Sequence, residues 1–158
     1  MRGVNRWLER MADKRTEDNL FYFCILLEYI ARKTANRRSD VIRYFDRNDV
    51  RREMCLAEIN RELTFDQVAA ALIADYRIAR GDFDTIRECS YTIPSVISIG
   101  RLYQQLVLDV CEDEDYGQAV IDVFSSFISD EIADYNSDIY YRNPDYLKQS
   151  YLEGRLLE

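Results

Sequence analysis

An all-α fold, a compact single-domain bundle of seven or eight helices, is predicted by this 158-residue sequence from three observations. Apolar residues recur at i, i+3 and i+4 through most of the chain, the spacing of a helix with one buried face. Ser, Thr, Asn and Asp stand just ahead of several of these stretches, where their side chains cap orphan backbone N–H groups. Five Gly and two Pro leave little material for linkers, and no pair of alternating apolar segments reads as a strand hairpin. A chain of this length buries roughly two-thirds of the surface it exposes when unfolded, so it needs no staple.

The first element is a short helix over 4–14, with Trp7, Leu8 and Met11 on one side. A break near Thr16 precedes a second helix, whose Leu20, Phe23, Cys24, Leu27, Tyr29, Ile30 and Ala31 make it apolar almost all round. Such a helix belongs at the centre of the core. The polar stretch 36–39 then breaks the chain, and Ser39 caps a short helix, Asp40–Phe45. Asn48 is read as the cap of the next, about 49–63, with Val50, Met54, Leu56, Ile59 and Leu63 available to the interior.

Thr64 followed three residues later by Gln67 is a capping box, ahead of the inward stripe Val68, Ala69, Leu72, Ile73 and Tyr76. Gly81 suits the left-handed position that ends this helix. Residues 83–93 are irregular, and Ile93 must be extended because it precedes Pro94. Pro94 opens a helix of four turns running to Val110. The acids of 112–115 sit against the positive N-terminus of a long helix, about 116–135. Asn143 and Pro144 supply cap and first residue for a last helix, closed by Gly154. The irregular stretch also allows two sub-units, a basic 1–80 and an acidic 91–158.

Composition narrows the chemistry. With no histidine, imidazole catalysis, His-dependent triads and the helical di-iron site built on Glu-x-x-His are all excluded. Cys24, Cys55, Cys89 and Cys111 form no C-x-x-C pair, so they read as small buried hydrophobes in a reducing compartment. Asp109 with Asp113, and Asp130 with Asp134, share helix faces at i, i+4; with no further ligands in view they read as solvated carboxylates. The acidic run 112–115 lacks the alternating ligands of an EF-hand loop. The segment Asp82–Ile86 has two aspartates spaced as in haloacid-dehalogenase-type phosphatases, but it follows a helix end rather than a buried strand, which rules the match out. No catalytic residue, metal or cofactor is expected. The opening residues have no apolar leader, no acylation pattern is present, and the longest apolar run, 20–27, stops at Glu28. The expected location is the cytoplasm, without a membrane partner.

Charge is unevenly distributed. Residues 1–52 hold 13 Lys and Arg against 8 acids, whereas the remainder holds 8 against 21. Such bipolarity suits charged partners or head-to-tail self-association into a homo-oligomer. The segment Arg32, Lys33, Arg37, Arg38, Arg43, Arg47, Arg51 and Arg52 concentrates the positive charge. Five of the twelve tyrosines, Tyr135, Tyr140, Tyr141, Tyr146 and Tyr151, crowd the C-terminal end, interleaved with Arg142, Lys148 and Arg155. Tyrosine joins apolar area to a polar tip and is enriched at interfaces.

The strings Asn19–Thr34, Tyr91–Ser95 with Ile99–Tyr103, and Tyr140–Pro144 through Ser150–Gly154 together resemble a family of small all-helical bacterial proteins without an assigned function. The opening part also looks like short helical domains encoded beside toxin or ADP-ribosyltransferase-like genes. This resemblance implies a bacterial accessory or antitoxin-like protein and carries over no functional residues. The functional expectation is therefore a non-enzymatic protein that binds another protein, with Arg37, Arg38, Arg51 and Arg52 as a basic surface and Tyr140, Tyr141, Tyr146 and Tyr151 as an aromatic one. The alternative is nucleic-acid binding through residues 32–52, against which stands a sequence pI of about 4.7.

Overall fold

A computed structural model describes residues 2–158, with side chains from Lys14 onward. Among these residues there are eight α-helices and one 3-10 turn, and no strand. The helices are α1 (Arg2–Thr34), α2 (Arg38–Ile42), α3 (Arg47–Asn60), α4 (Phe65–Tyr76), α5 (Val96–Val110), α6 (Tyr116–Ser125), α7 (Phe127–Ala133) and α8 (Pro144–Glu153), with the 3-10 turn at Ile139–Tyr141. The fold is all-α, and none of its described helices is long and apolar enough to cross a membrane.

α1 is the axis of the molecule. Leu20, Phe23, Leu26, Leu27 and Ile30 are almost wholly buried, and α2, α3, α4 and α5 pack around this half of the helix. One cluster of buried apolar side chains draws on all eight helices. α6 bridges α2, α3 and α5, while α8 lies against α5. The central role expected for the 20–31 stretch is what the structure shows.

Several boundaries differ from expectation, each for a local reason. Residues 4–14 and 20–31 belong to one continuous helix, so no cap operates at Thr16; the side chains of Trp7, Leu8 and Met11 lie outside the described residues. α2 starts one residue before Ser39, on an Arg37 that makes no side-chain cap. Starting there places Arg38 inside the helix, where it reaches Glu28 in the core. α3 is capped by Asp46 rather than Asn48, through a reciprocal capping box with Asp49.

The Thr64–Gln67 capping box forms as expected. Its helix, however, stops four residues short of Gly81, because Arg77 itself adopts the left-handed conformation at φ 55° and Ile78 N–H donates to the Ile73 carbonyl. Gly81 serves another purpose: a Cβ there would come within 2.6 Å of the Ala35 carbonyl oxygen. Pro94 lies outside α5, which Ser95 caps by accepting from Ser98 N–H. The long helix expected over 116–135 is two helices. Ser126 is extended and its hydroxyl donates to the Val123 carbonyl, so side chain and backbone compete and the helix breaks. Asn143 and Gly154 terminate α8 as read from sequence, and of the acids 112–115 it is Asp115 that caps α6.

Candidate functional site

Three arrangements draw together the charged and aromatic residues of the chain. The first is buried. Glu28 is wholly inaccessible, and its carboxylate accepts from Arg38 Nε at 2.8 Å and Arg38 Nη2 at 2.5 Å, a two-pronged pairing. Arg32 Nε donates to the same carboxylate at 2.6 Å, as does the Tyr135 hydroxyl at 2.5 Å. Arg32 also donates to the Pro94 carbonyl. Four distant parts of the chain, α1, α2, the 94 loop and the 135 turn, are thus tied to one carboxylate.

Burial alone would raise the pKa of Glu28, but the two guanidinium groups and the tyrosine hydroxyl outweigh it and hold the group below its ordinary value. Burial, reinforced by the neighbouring Glu28 charge, pushes Tyr135 well above the usual phenol range. Nothing here suits proton transfer near neutral pH: the acid stays ionised, the phenols stay protonated, and the carboxylate is closed to solvent. It is a structural latch.

Beside it, the ring of Tyr103 stacks on Phe124 with centroids 4.1 Å apart, while its buried hydroxyl meets no hydrogen-bonding partner among the described residues. An unsatisfied buried hydroxyl costs about 1–3 kcal/mol, so Tyr103→Phe is expected to leave stability unchanged or raise it by about 1 kcal/mol. Urea unfolding checks this; a clear loss of stability would show that the hydroxyl has a partner.

The second arrangement is the basic segment, and here the structure corrects the expected contact surface. Arg38 is 2% exposed and cannot meet a partner. Arg37 is exposed, but it pairs with Asp130 at 2.7 Å and lies over the Phe83 ring. Arg47 and Arg51 converge on Asp115, and Arg52 contacts Asp49 at 2.9 Å and the Tyr76 hydroxyl. Lys33 pairs with Asp66 and Arg43 with Asp40. Every one of the eight cations between 32 and 52 therefore has a carboxylate within 3.6 Å. Part of the charge asymmetry seen in sequence is consumed within the fold, where Asp115 and Asp130 from the acidic half meet arginines of the basic half.

The third arrangement is an open groove of about 490 Å³. One wall is α5, with Ile97, Ser98, Arg101, Leu102, Gln105 and Leu106; the other is the stretch Tyr140, Arg142, Pro144 and Leu147. Leu106 and Leu147 are buried in its floor, whereas Ile97 at its mouth is 53% exposed. The guanidinium of Arg101 lies over Phe21, and that of Arg142 lies over Tyr146 while pairing with Asp138. Among the described residues no carboxylate lines the groove, although the chain carries a net charge of −8.

The C-terminal tyrosines divide between core and surface. Tyr140, Tyr146 and Tyr151 are half-buried against the core, with Tyr140 edge-on to Tyr135; Tyr141 is 67% exposed and stands edge-on to Tyr140. The groove was not legible in sequence, because its α5 wall contributes residues that read only as one helical stripe. Arg142, interleaved with the tyrosines, was the available signal.

Cys24 is buried as expected, whereas Cys55 is exposed and Cys89 and Cys111 are intermediate; all four are free thiols. Among the described residues no three His, Cys, Asp or Glu side chains stand close enough to hold a metal ion. Asp109 accepts from Gln105, and Asp130 and Asp134 engage Arg37 and the Asn136 backbone respectively, each in its own surface contact. No protein-family model matches the chain, and neither a curated protein nor a solved structure matches it.

Proposed function

We propose that this protein is a non-enzymatic accessory protein that binds another protein through the groove between α5 and the 140–147 wall. The antitoxin-like role in a bacterial cytoplasm, which the sequence resemblance implies, is part of the same proposal. The observation that carries it is an apolar trough with two arginines and no acid among its described lining residues, set in an acidic molecule. Apolar floors ringed by arginine and tyrosine are the composition of protein-binding hot spots. The basic segment supports this reading over the nucleic-acid one, since each of its cations already has a carboxylate neighbour and phosphate contacts would have to displace it.

The test is site-specific photo-crosslinking in the native cell. A crosslinker at Ile97 or Tyr141 is expected to capture one protein, whereas one at Ile59 on α3, 71% exposed, should not. Leu102→Glu in the groove wall should abolish the capture while leaving the circular dichroism unchanged. Equal labelling from all three positions, or capture of nucleic acid instead, would overturn the reading.

A further inference from the structure

We propose, resting on the protein-binding reading above, that the groove takes an acidic amphipathic α-helix of the partner, with its apolar face on Ile97, Leu102 and Tyr140 and its carboxylates reaching Arg101 and Arg142. Three features of the molecule specify this occupant.

Charge comes first. Arg101 stands on the α5 wall and Arg142 on the opposite one, and no described lining residue is an acid. A helix lying between them would meet a cation on either flank, so carboxylates on both sides of its apolar stripe are favoured and lysines are repelled. Among the described residues Arg142 contacts the Asp138 carboxylate, while Arg101 rests on the Phe21 ring.

Backbone chemistry comes second. Among the described residues there is no strand, so an extended segment would find no sheet edge to satisfy its N–H and C=O groups. A helix satisfies its own backbone and needs only an apolar trough. From Ile97 to Leu106 the α5 wall runs about 14 Å, enough for two to three turns of a docked helix.

Extent comes third. Exposed apolar area adjoins the groove: Tyr141, 67% exposed, stands edge-on to the lining Tyr140, and Ile97 at the mouth is 53% exposed. A small molecule filling the trough would leave Tyr141 uncovered, whereas a helix with its flanking residues would cover it.

The test uses three labelled 14-residue peptides and the full chain, read by fluorescence anisotropy. One carries a leucine stripe flanked by glutamates; the second replaces every glutamate by lysine; the third keeps the glutamates and places proline at its centre. The acidic helix is expected to bind at least about tenfold more tightly than the other two, a difference of about 1.4 kcal/mol. Arg101→Glu with Arg142→Glu should reverse the preference between the glutamate and lysine peptides, and Arg101→Gln with Arg142→Gln should abolish it. Both sites are exposed, and unchanged circular dichroism confirms folding. No binding of the acidic helix, equal binding of the lysine peptide, or binding of the proline peptide as tight as that of the acidic helix would each overturn the inference. If crosslinking at Ile97 still captures a protein in those cases, protein binding stands and only the acidic-helix occupant falls.

Discussion

Arg38→Leu is expected to destabilise the protein by about 3–5 kcal/mol, the largest effect of any single change considered, measured as a lowered urea midpoint at pH 7. The substitution leaves Glu28 in the core with only Arg32 and the Tyr135 hydroxyl, after removing the two hydrogen bonds that Arg38 supplies at 2.8 and 2.5 Å. Removing both partners is a different matter. Glu28→Leu with Arg38→Met replaces a buried pair by apolar volume, and this double variant should recover most of the loss. Arg32 retains the Pro94 carbonyl and, at 16% side-chain exposure, access to water. A double variant as unstable as Arg38→Leu would show that the latch fixes the positions of α1 and α2 in a way packing cannot replace.

The same cluster sets an acid limit. The folded-state pKa of Glu28 lies below its ordinary value of 4.5, so its contribution is complete above that pH and is lost as pH falls through the folded value. Stability should therefore be insensitive to this group between pH 7 and 5 and should decline below about pH 4. Glu28→Gln should be less stable at pH 7 and should lose less stability on acidification. An acid profile identical to that of the parent would remove Glu28 from the account.

Gly100→Ala is expected to cost about 1–3 kcal/mol, even though alanine is the better helix former by about 1 kcal/mol. A Cβ at this position in α5 would lie 2.4 Å from Ile25 Cγ1 and 3.0 Å from both the Cα and the backbone nitrogen of Ile25. A side chain can rotate away, but the backbone of α1 cannot move without disturbing the rest of the core. Gly117 in α6 provides the contrast. There the nearest atoms are the flexible Arg51 Cγ at 3.1 Å and the Arg47 carbonyl at 3.3 Å, so Gly117→Ala should be nearly neutral. Thermal unfolding of the two variants side by side decides the matter; equal effects would mean that α1 and α5 have room to separate.

Much of the fold was legible because it depends on local chemistry. Thr64 with Gln67, Asn143 with Pro144, and Gly154 act within a few residues of themselves, so their spacing is sufficient. The apolar stretch of α1 was equally plain, since a helix without a polar face has nowhere to go but the centre. The misread boundaries involve competition between neighbours that sequence leaves open. Arg77 takes a left-handed backbone that Gly81 was better suited to supply, and Ser126 breaks a helix whose apolar stripe runs on beyond it.

The candidate site was much less legible. Arg38 and Arg37 are adjacent and identical in sequence, yet one is buried on Glu28 and the other lies at the surface beside Asp130. Only the rotation of α2 against α1 separates them. Arg101 gave no sign of facing Arg142 across a groove, because their walls are brought together by the packing of α8 on α5.

The amino-acid pattern by itself determined that this protein is helical, where α4 begins and where α8 begins and ends, and that no imidazole is present to catalyse anything. Tertiary structure alone decided which charges are spent inside the molecule and which face outward. The reason is range: capping and amphipathicity act over three or four residues, whereas the partners of Glu28, Asp115 and Arg101 come from segments that meet only when the chain is folded.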